Sequence, residues 1–129
     1  MLCNVLVVDD SSSARAVIRQ IVRDAGVCND RIFEAVNGQE ALALFETTWI
    51  DLVLLDINMP VMNGECFART LRAREDLADV KVLVVTADHD PLRHARLRQI
   101  GISGMITKPF RAEHLRTAVL AALPAAKAA

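Results

Sequence analysis

Three apolar runs, Val5-Leu6-Val7-Val8, Leu52-Val53-Leu54-Leu55 and Val82-Leu83-Val84-Val85, constrain this chain more than any other feature. A strand with one face in water alternates apolar and polar side chains, and these runs do not. They read as strands buried on both faces, which calls for a parallel sheet with helices above and below it. The stretches between them carry a helical period. After Ser11-Ser12-Ser13, a supply of N-cap hydroxyls, Val17, Ile18, Ile21, Val22 and Ala25 recur on one helical face, and Gly26 stops the helix. A short strand around Ile32-Phe33 follows, then an Asn37-Gly38 turn and a helix from Gln39 to Glu46 burying Ala41, Leu42 and Phe45. A loop with Pro60 and Gly64 leads to a helix containing Phe67 and Leu71. Asp90-Pro91 starts the fourth helix, an N-cap followed by proline at the first helical position. The fifth strand is weak, around Gly104-Met105-Ile106, and the last helix carries Leu115, Ala118, Val119 and Leu123. The result is five strand-then-helix units, an α/β doubly wound sheet with right-handed crossovers.

Length and charge bound the function. At 129 residues the chain has room for one domain, spanning 1–129 with its core from about 4 to 123 and a frayed tail from Pro124 to Ala129. Apolar residues make up 53% and charged residues 24%, as in a globular protein in water. Lys plus Arg is 15 against 16 for Asp plus Glu, which argues against nucleic acid as a partner. The apolar runs are too short to span a bilayer, and Val5–Val8 stops at Asp9, unlike a signal peptide. Membrane insertion and secretion are therefore not expected. The three cysteines, Cys3, Cys28 and Cys66, are odd in number and widely spaced, as reduced thiols in the cytoplasm would be.

In open parallel sheets, sites form beyond the carboxyl ends of the strands. Here strand one ends in Asp9-Asp10, strand three in Asp56, strand four in Thr86 and strand five near Lys108-Pro109. Taken singly, each has a plain structural reading: a helix-capping acidic turn, strand-end turn residues, a solvated lysine. As a set they deliver carboxylates, a hydroxyl and an ammonium to one edge. Carboxylates about 4 Å apart at an effective dielectric near 20 repel by roughly 4 kcal/mol per pair. A raised carboxyl pKa or a divalent cation offsets that cost, and an all-oxygen carboxylate site suits Mg2+. A carboxylate can also act as a nucleophile and form an aspartyl phosphate. Phosphoryl transfer asks for positioning and charge neutralisation, which Mg2+, a lysine and a hydroxyl around Asp56 would supply. Glycine-rich nucleotide loops and the G-x-S-x-G elbow are absent from the sequence.

In this light the residues resemble the response-regulator receiver domains of two-component signalling. The resemblance runs from Val5 to about Leu123. It rests on Val7-Val8-Asp9-Asp10-Ser11, on Leu54 through Gly64 (LLDINMPVMNG), on Val84-Val85-Thr86-Ala87 and on Ile106-Thr107-Lys108-Pro109-Phe110, in that order. It implies a flavodoxin-like (βα)5 fold with strand order 2-1-3-4-5. It implies Asp56 as phosphoacceptor, with Mg2+ held by Asp9, Asp10, Asp56 and the backbone carbonyl of Asn58. Thr86 and Lys108 would contact phosphoryl oxygens, and a cis bond before Pro109 would aim Lys108. Asn58 and Asp88, two residues past Asp56 and Thr86, would flank the phosphoryl group and tune its hydrolysis. Receivers commonly carry Tyr or Phe three residues before the lysine as a switch partner of the threonine. Here that residue is Met105, and the chain has no Tyr. Met is flexible and can repack without an aromatic flip.

The resemblance further implies a histidine kinase or phosphotransfer protein as donor and a separate output protein. Because only Pro124 to Ala129 follow the last helix, the expectation is a stand-alone, chemotaxis-type or phosphorelay regulator without an attached output domain. The fourth helix carries Arg93, His94, Arg96 and Arg98, read either as a solvated basic face or, with the fifth strand and fifth helix, as a surface for an acidic partner. His89, His94 and His114 read as surface histidines. Two alternatives remain at this point. One is a haloacid-dehalogenase-type phosphatase, which expects D-x-D on the first strand, where this chain has Asp56-Ile57-Asn58 on the third. The other is a pseudo-receiver that binds without being phosphorylated.

Overall fold

The computed structural model describes residues 3–123. Its strands are β1 (Val5–Val8), β2 (Ile32–Ala35), β3 (Leu52–Leu55), β4 (Lys81–Thr86) and β5 (Gly104–Thr107). They alternate with helices α1 (Ser12–Asp24), α2 (Gly38–Leu44), α3 (Gly64–Arg72), α4 (Pro91–Ile100) and α5 (Ala112–Ala122). All pairings are parallel, in the order β2-β1-β3-β4-β5. The expected order 2-1-3-4-5 is the one formed. The tail expected to fray, Pro124 to Ala129, lies outside the described residues.

The unbroken apolar runs do what two-faced burial requires. Strand side chains alternate between two cores with a period of two. Leu6, Val8, Val53, Leu55, Val82 and Val84 join Ala41, Phe67, Leu71 and Leu97 under α2, α3 and α4. Val5, Val7, Leu52, Leu54, Leu83 and Val85 join Ile18, Ile21, Val22, Leu115 and Val119 under α1 and α5. Each of these Val, Leu, Ile and Phe side chains stabilises the fold by roughly 1.5–3 kcal/mol when fully buried.

Polar caps fix where α1 to α4 begin. The Ser11 hydroxyl accepts from Ala14 N at 3.2 Å, and Asn63 accepts from Cys66 N at 2.8 Å. Asp90 accepts from Leu92 N at 3.0 Å with Pro91 in the first turn. The Asn37-Gly38 turn needs correcting. Asn37 caps α2 by accepting from Glu40 N at 2.8 Å, and Gly38 is already helical. Val17 is a second correction, being 52% exposed. It lies at the edge of the α1 stripe, and the buried face of that helix is Ile18, Ile21 and Val22. Short 3-10 turns at Asn29–Arg31 and Glu75–Leu77 carry no apolar period, and periodicity does not reveal them.

Helix α4 has no apolar stripe; Leu97 is its one buried residue. Ion pairs fasten it instead. Glu65 on α3 accepts from Arg96 Nε at 2.8 Å and Arg96 Nη2 at 3.1 Å, a two-pronged contact across helices. Arg69 adds a third bond to Glu65 at 2.9 Å. The Arg96 bonds, with help from Arg69 and against partial burial, hold the Glu65 carboxyl down at about 2. The basic face of α4 is thus partly satisfied inside the molecule.

A lowered carboxyl pKa stabilises the fold above the unfolded value, and that contribution is lost as pH falls through the folded value. Glu65→Gln is therefore expected to lower stability by about 1 kcal/mol at neutral pH. The difference from wild type should shrink between the ordinary glutamate range and pH of about 2. Thermal unfolding of both proteins across that range measures it. A gap that stays constant with pH would rule out the ion pair as its source.

Candidate functional site

The site is built where the strand ladders run one step past the strands. Asp9 N donates to Ala35 O at 3.1 Å, Asp56 N to Val8 O at 2.9 Å and Lys108 N to Thr86 O at 2.8 Å. Each bond fixes the residue that follows a strand against its neighbour. Asp9, Asp56, Thr86 and Lys108 therefore converge on the carboxyl edge of β1, β3, β4 and β5, as the sequence predicts.

Lys108 is the centre of charge. Its Nζ lies 2.7 Å from Asp9 Oδ2 and 3.6 Å from Asp56 Oδ2. The Lys108–Pro109 peptide is cis. Asp9 Oδ1 accepts from Ser11 N at 2.9 Å, and Asp56 Oδ1 accepts from Ile57 N at 2.7 Å. Asp9, Asp56 and Thr86 are buried, and Asp10 is exposed beside them. Burial pushes the Asp56 carboxyl above its ordinary value; Lys108 opposes this and the Asp9 charge reinforces it. Burial works against the Lys108 ammonium, but its bond to Asp9 and the charges of Asp56 and Asp9 outweigh that and raise its pKa.

The donor set fits a hard cation. Asp9, Asp10 and Asp56 can each offer an oxygen with all three atoms within 4.8 Å of one another. Carboxylates crowded this closely around one lysine leave negative charge that an oxygen-seeking divalent ion would balance.

Asn58 is exposed, and its Nδ2 lies 3.4 Å from Asp88 Oδ2, so the two rim residues face each other across the site. Asp88 is also tied down. Its N donates to the Thr86 hydroxyl at 3.1 Å, its Oδ1 accepts from Asp90 N at 2.8 Å, and Arg93 of α4 pairs with its Oδ2. His94 corrects the surface assignment: its ring is half-buried and its Nε2 lies 2.7 Å from the Asp88 carbonyl. His89 and His114 are exposed. Met105 is half-buried against the core under α2–α4, on the strand next to Thr86.

Two features of the loop after Asp56 are invisible to motif reading. Gly64 opens α3 directly beneath the site, its N donating to Ile57 O at 2.8 Å. A Cβ there would sit 2.1 Å from the Asp56 carbonyl oxygen. Val61 has φ +68°, and Met62 N donates back to Pro60 O at 2.8 Å, a strained turn for a β-branched residue. The Pro60 and Gly64 signals marked a loop but not how closely it approaches the carboxylate.

Among the described residues, no helix is long and apolar enough to cross a membrane. Residues 5–120 match the model of the response regulator receiver domain. The chain is 37% identical over 112 residues to the chemotaxis protein CheY of Pseudomonas aeruginosa, covering 87% of this chain and 89% of that one. It is 36% identical to chemotaxis protein CheY-3 of Vibrio cholerae, covering 87% and 85%. The solved structure of the chemotaxis response regulator CheY4 of Vibrio cholerae superposes with a TM-score of 0.84 at 31% identity, over 95% of this chain and 100% of that one. Neither the phosphatase nor the pseudo-receiver reading is favoured by these likenesses. Sequence across most of the chain and the winding of its sheet lead to one family: the chain belongs to the response regulator receiver domains, a signalling family and not a classical enzyme.

Proposed function

We propose that this receiver takes a phosphoryl group on Asp56 from a histidine kinase or phosphotransfer protein, and that the modified form changes its affinity for a separate output protein. The observation that carries this is the placing of Asp56, 3.6 Å from Lys108 and within an acidic cluster fit for a cation. A phosphohistidine N–P bond breaks, its electron pair returns to the imidazole, and an O–P bond forms to the Asp56 carboxylate. Asp9, Asp10, Asp56 and the backbone carbonyl of Asn58 would hold Mg2+, which supplies charge neutralisation to the phosphoryl oxygens. The Lys108 ammonium and the Thr86 hydroxyl take the remaining oxygens. Transfer is then mostly positioning and electrostatics.

The names of the chemotaxis relatives support a chemotaxis-type regulator. In this reading it works in the cytoplasm and docks its target through α4, β5 and α5. Thr86 turning toward a phosphoryl group would withdraw the acceptor of Asp88 N, and Asp88 holds both Arg93 and His94 of α4. Met105, paired with Val84 two residues before Thr86, would repack in place of an aromatic flip. The test is incubation with acetyl phosphate and Mg2+, followed by intact mass. One added phosphoryl group, dependent on Mg2+, is expected.

Asn58 and Asp88 set how water reaches the phosphorus. Asn58→Ala and Asp88→Ala are expected to shift the self-dephosphorylation rate by roughly tenfold, less than the roughly hundredfold or more that a general acid or base contributes, since neither need exchange a proton. Loss of label from the purified phosphoprotein measures it. Unchanged rates in both variants defeat the tuning role.

A further inference from the structure

Arg15 lies in the second turn of α1, on no motif and in none of the roles given above. Its side chain is 15% exposed. Nη1 donates to the backbone carbonyl of Asp9 at 2.7 Å. Nε donates to Glu34 Oε1 on β2 at 2.8 Å. The other Glu34 oxygen takes Arg19 Nε at 2.8 Å, and Arg19 also donates to Ile32 O at 2.7 Å and Asn29 Oδ1 at 2.8 Å. Glu34 is thus a fixed post, gripped by two guanidinium groups that are themselves anchored to α1 and β2. Arg15 transmits that rigidity to one peptide plane, the one joining Asp9 to Asp10.

That plane matters because it places both of the first two acidic residues. Asp9 is held from its side-chain end by Ser11 N and Lys108, while Asp10 is exposed. Where the Asp10 carboxylate sits relative to Asp9 and Asp56 depends on how the carbonyl between them is turned. We propose that Arg15 is a positioning residue for the cation site, fixing the Asp9–Asp10 peptide through its carbonyl. The inference rests on the Mg2+ reading given above. Partners one shell out from a metal typically change its affinity by about 10–100-fold when removed.

The charge of Arg15 points the opposite way, since a nearby cation disfavours Mg2+. Two substitutions separate the effects. Arg15→Lys keeps the charge and loses the fork that bonds Asp9 and Glu34 together. Arg15→Met removes both. Calorimetric titration of the whole chain with MgCl2 is expected to show about tenfold weaker binding for each, at 0.1 M and at 0.5 M NaCl. Arg19→Lys, which loosens Glu34 but leaves both Arg15 bonds in place, is expected to weaken Mg2+ binding less than either Arg15 substitution. Melting temperatures without Mg2+ report any structural loss separately. Arg15→Met binding as well as or better than wild type overturns the proposal, as does a weakening by Arg19→Lys equal to that by Arg15→Lys. Wild type that binds no Mg2+ overturns the cation reading itself, and this inference falls with it.

Discussion

Asp56→Asn is expected to take up no phosphoryl group from acetyl phosphate in the presence of Mg2+, while wild type gains one. Asn is nearly isosteric with Asp, so the bond to Ile57 N at Oδ1 and the packing of the site survive. What is lost is the carboxylate oxygen that forms the O–P bond, and an amide is no substitute nucleophile. The effect is all-or-none, not a slowed rate. A mass gain that persists in the variant places the acceptor elsewhere.

The same substitution carries a stability signature of known sign. The Asp56 carboxyl is raised by burial and by Asp9 against the pull of Lys108. A raised carboxyl pKa leaves stability intact where both states are protonated and erodes it as pH rises through the folded value. Without Mg2+, Asp56→Asn should therefore unfold at higher temperature than wild type at neutral pH. The advantage should fade toward the acid side of the ordinary aspartate range. A variant less stable than wild type at pH 7 would contradict the crowding of carboxylates at this edge.

Gly64→Ala is the second large effect. The added Cβ would lie 2.1 Å from the Asp56 carbonyl oxygen, 2.9 Å from Ile57 Cα and 3.0 Å from Asp56 C. All three atoms are backbone, so no flexible side chain can give way. Either α3 lifts off, breaking the Gly64 N to Ile57 O bond, or the Asp56 segment moves. Overpacking at backbone costs about 3 kcal/mol, near the upper end for one methyl group. In a domain of this size that lowers the melting temperature by roughly 10 °C. Because the atom struck belongs to Asp56, chemistry suffers as well. A displacement of about 1 Å at a reacting group can cost on the order of a hundredfold in rate. Thermal unfolding followed by circular dichroism, with the acetyl phosphate rate measured on the folded fraction, reads both. A variant as stable and as fast as wild type would show that Gly64 does not bear on the carboxylate.

The elements legible in advance are those with a local cause. Val5–Val8, Leu52–Leu55 and Val82–Val85 lie within the strands, and Asp90-Pro91 opens α4. Asp9, Asp56, Thr86 and Lys108 were also legible, because residues that end strands of a parallel sheet share one edge. Helix α4 was different. Arg93 and Arg96 read as a basic face because an arginine in a sequence does not say which carboxylate it meets. In the fold, Glu65 on α3 and Asp88 before α4 receive them. His94 moved inward for the same reason, its ring reaching the Asp88 carbonyl.

Local patterning specifies the strands, their burial on both faces and the residue types at the carboxyl edge of the sheet. Period, capping and apolar runs are properties of neighbouring residues, and they act whatever the rest of the chain does. The contacts that turn those residues into a site arise from the packing of distant segments. Lys108 meets Asp9 across 99 positions of sequence, Arg15 finds the Asp9 carbonyl through a post on β2, and Gly64 is pressed against the Asp56 backbone. Such contacts depend on distances of a few ångströms between separate elements. Those distances are set when the sheet twists and the helices pack on it, which no local pattern encodes.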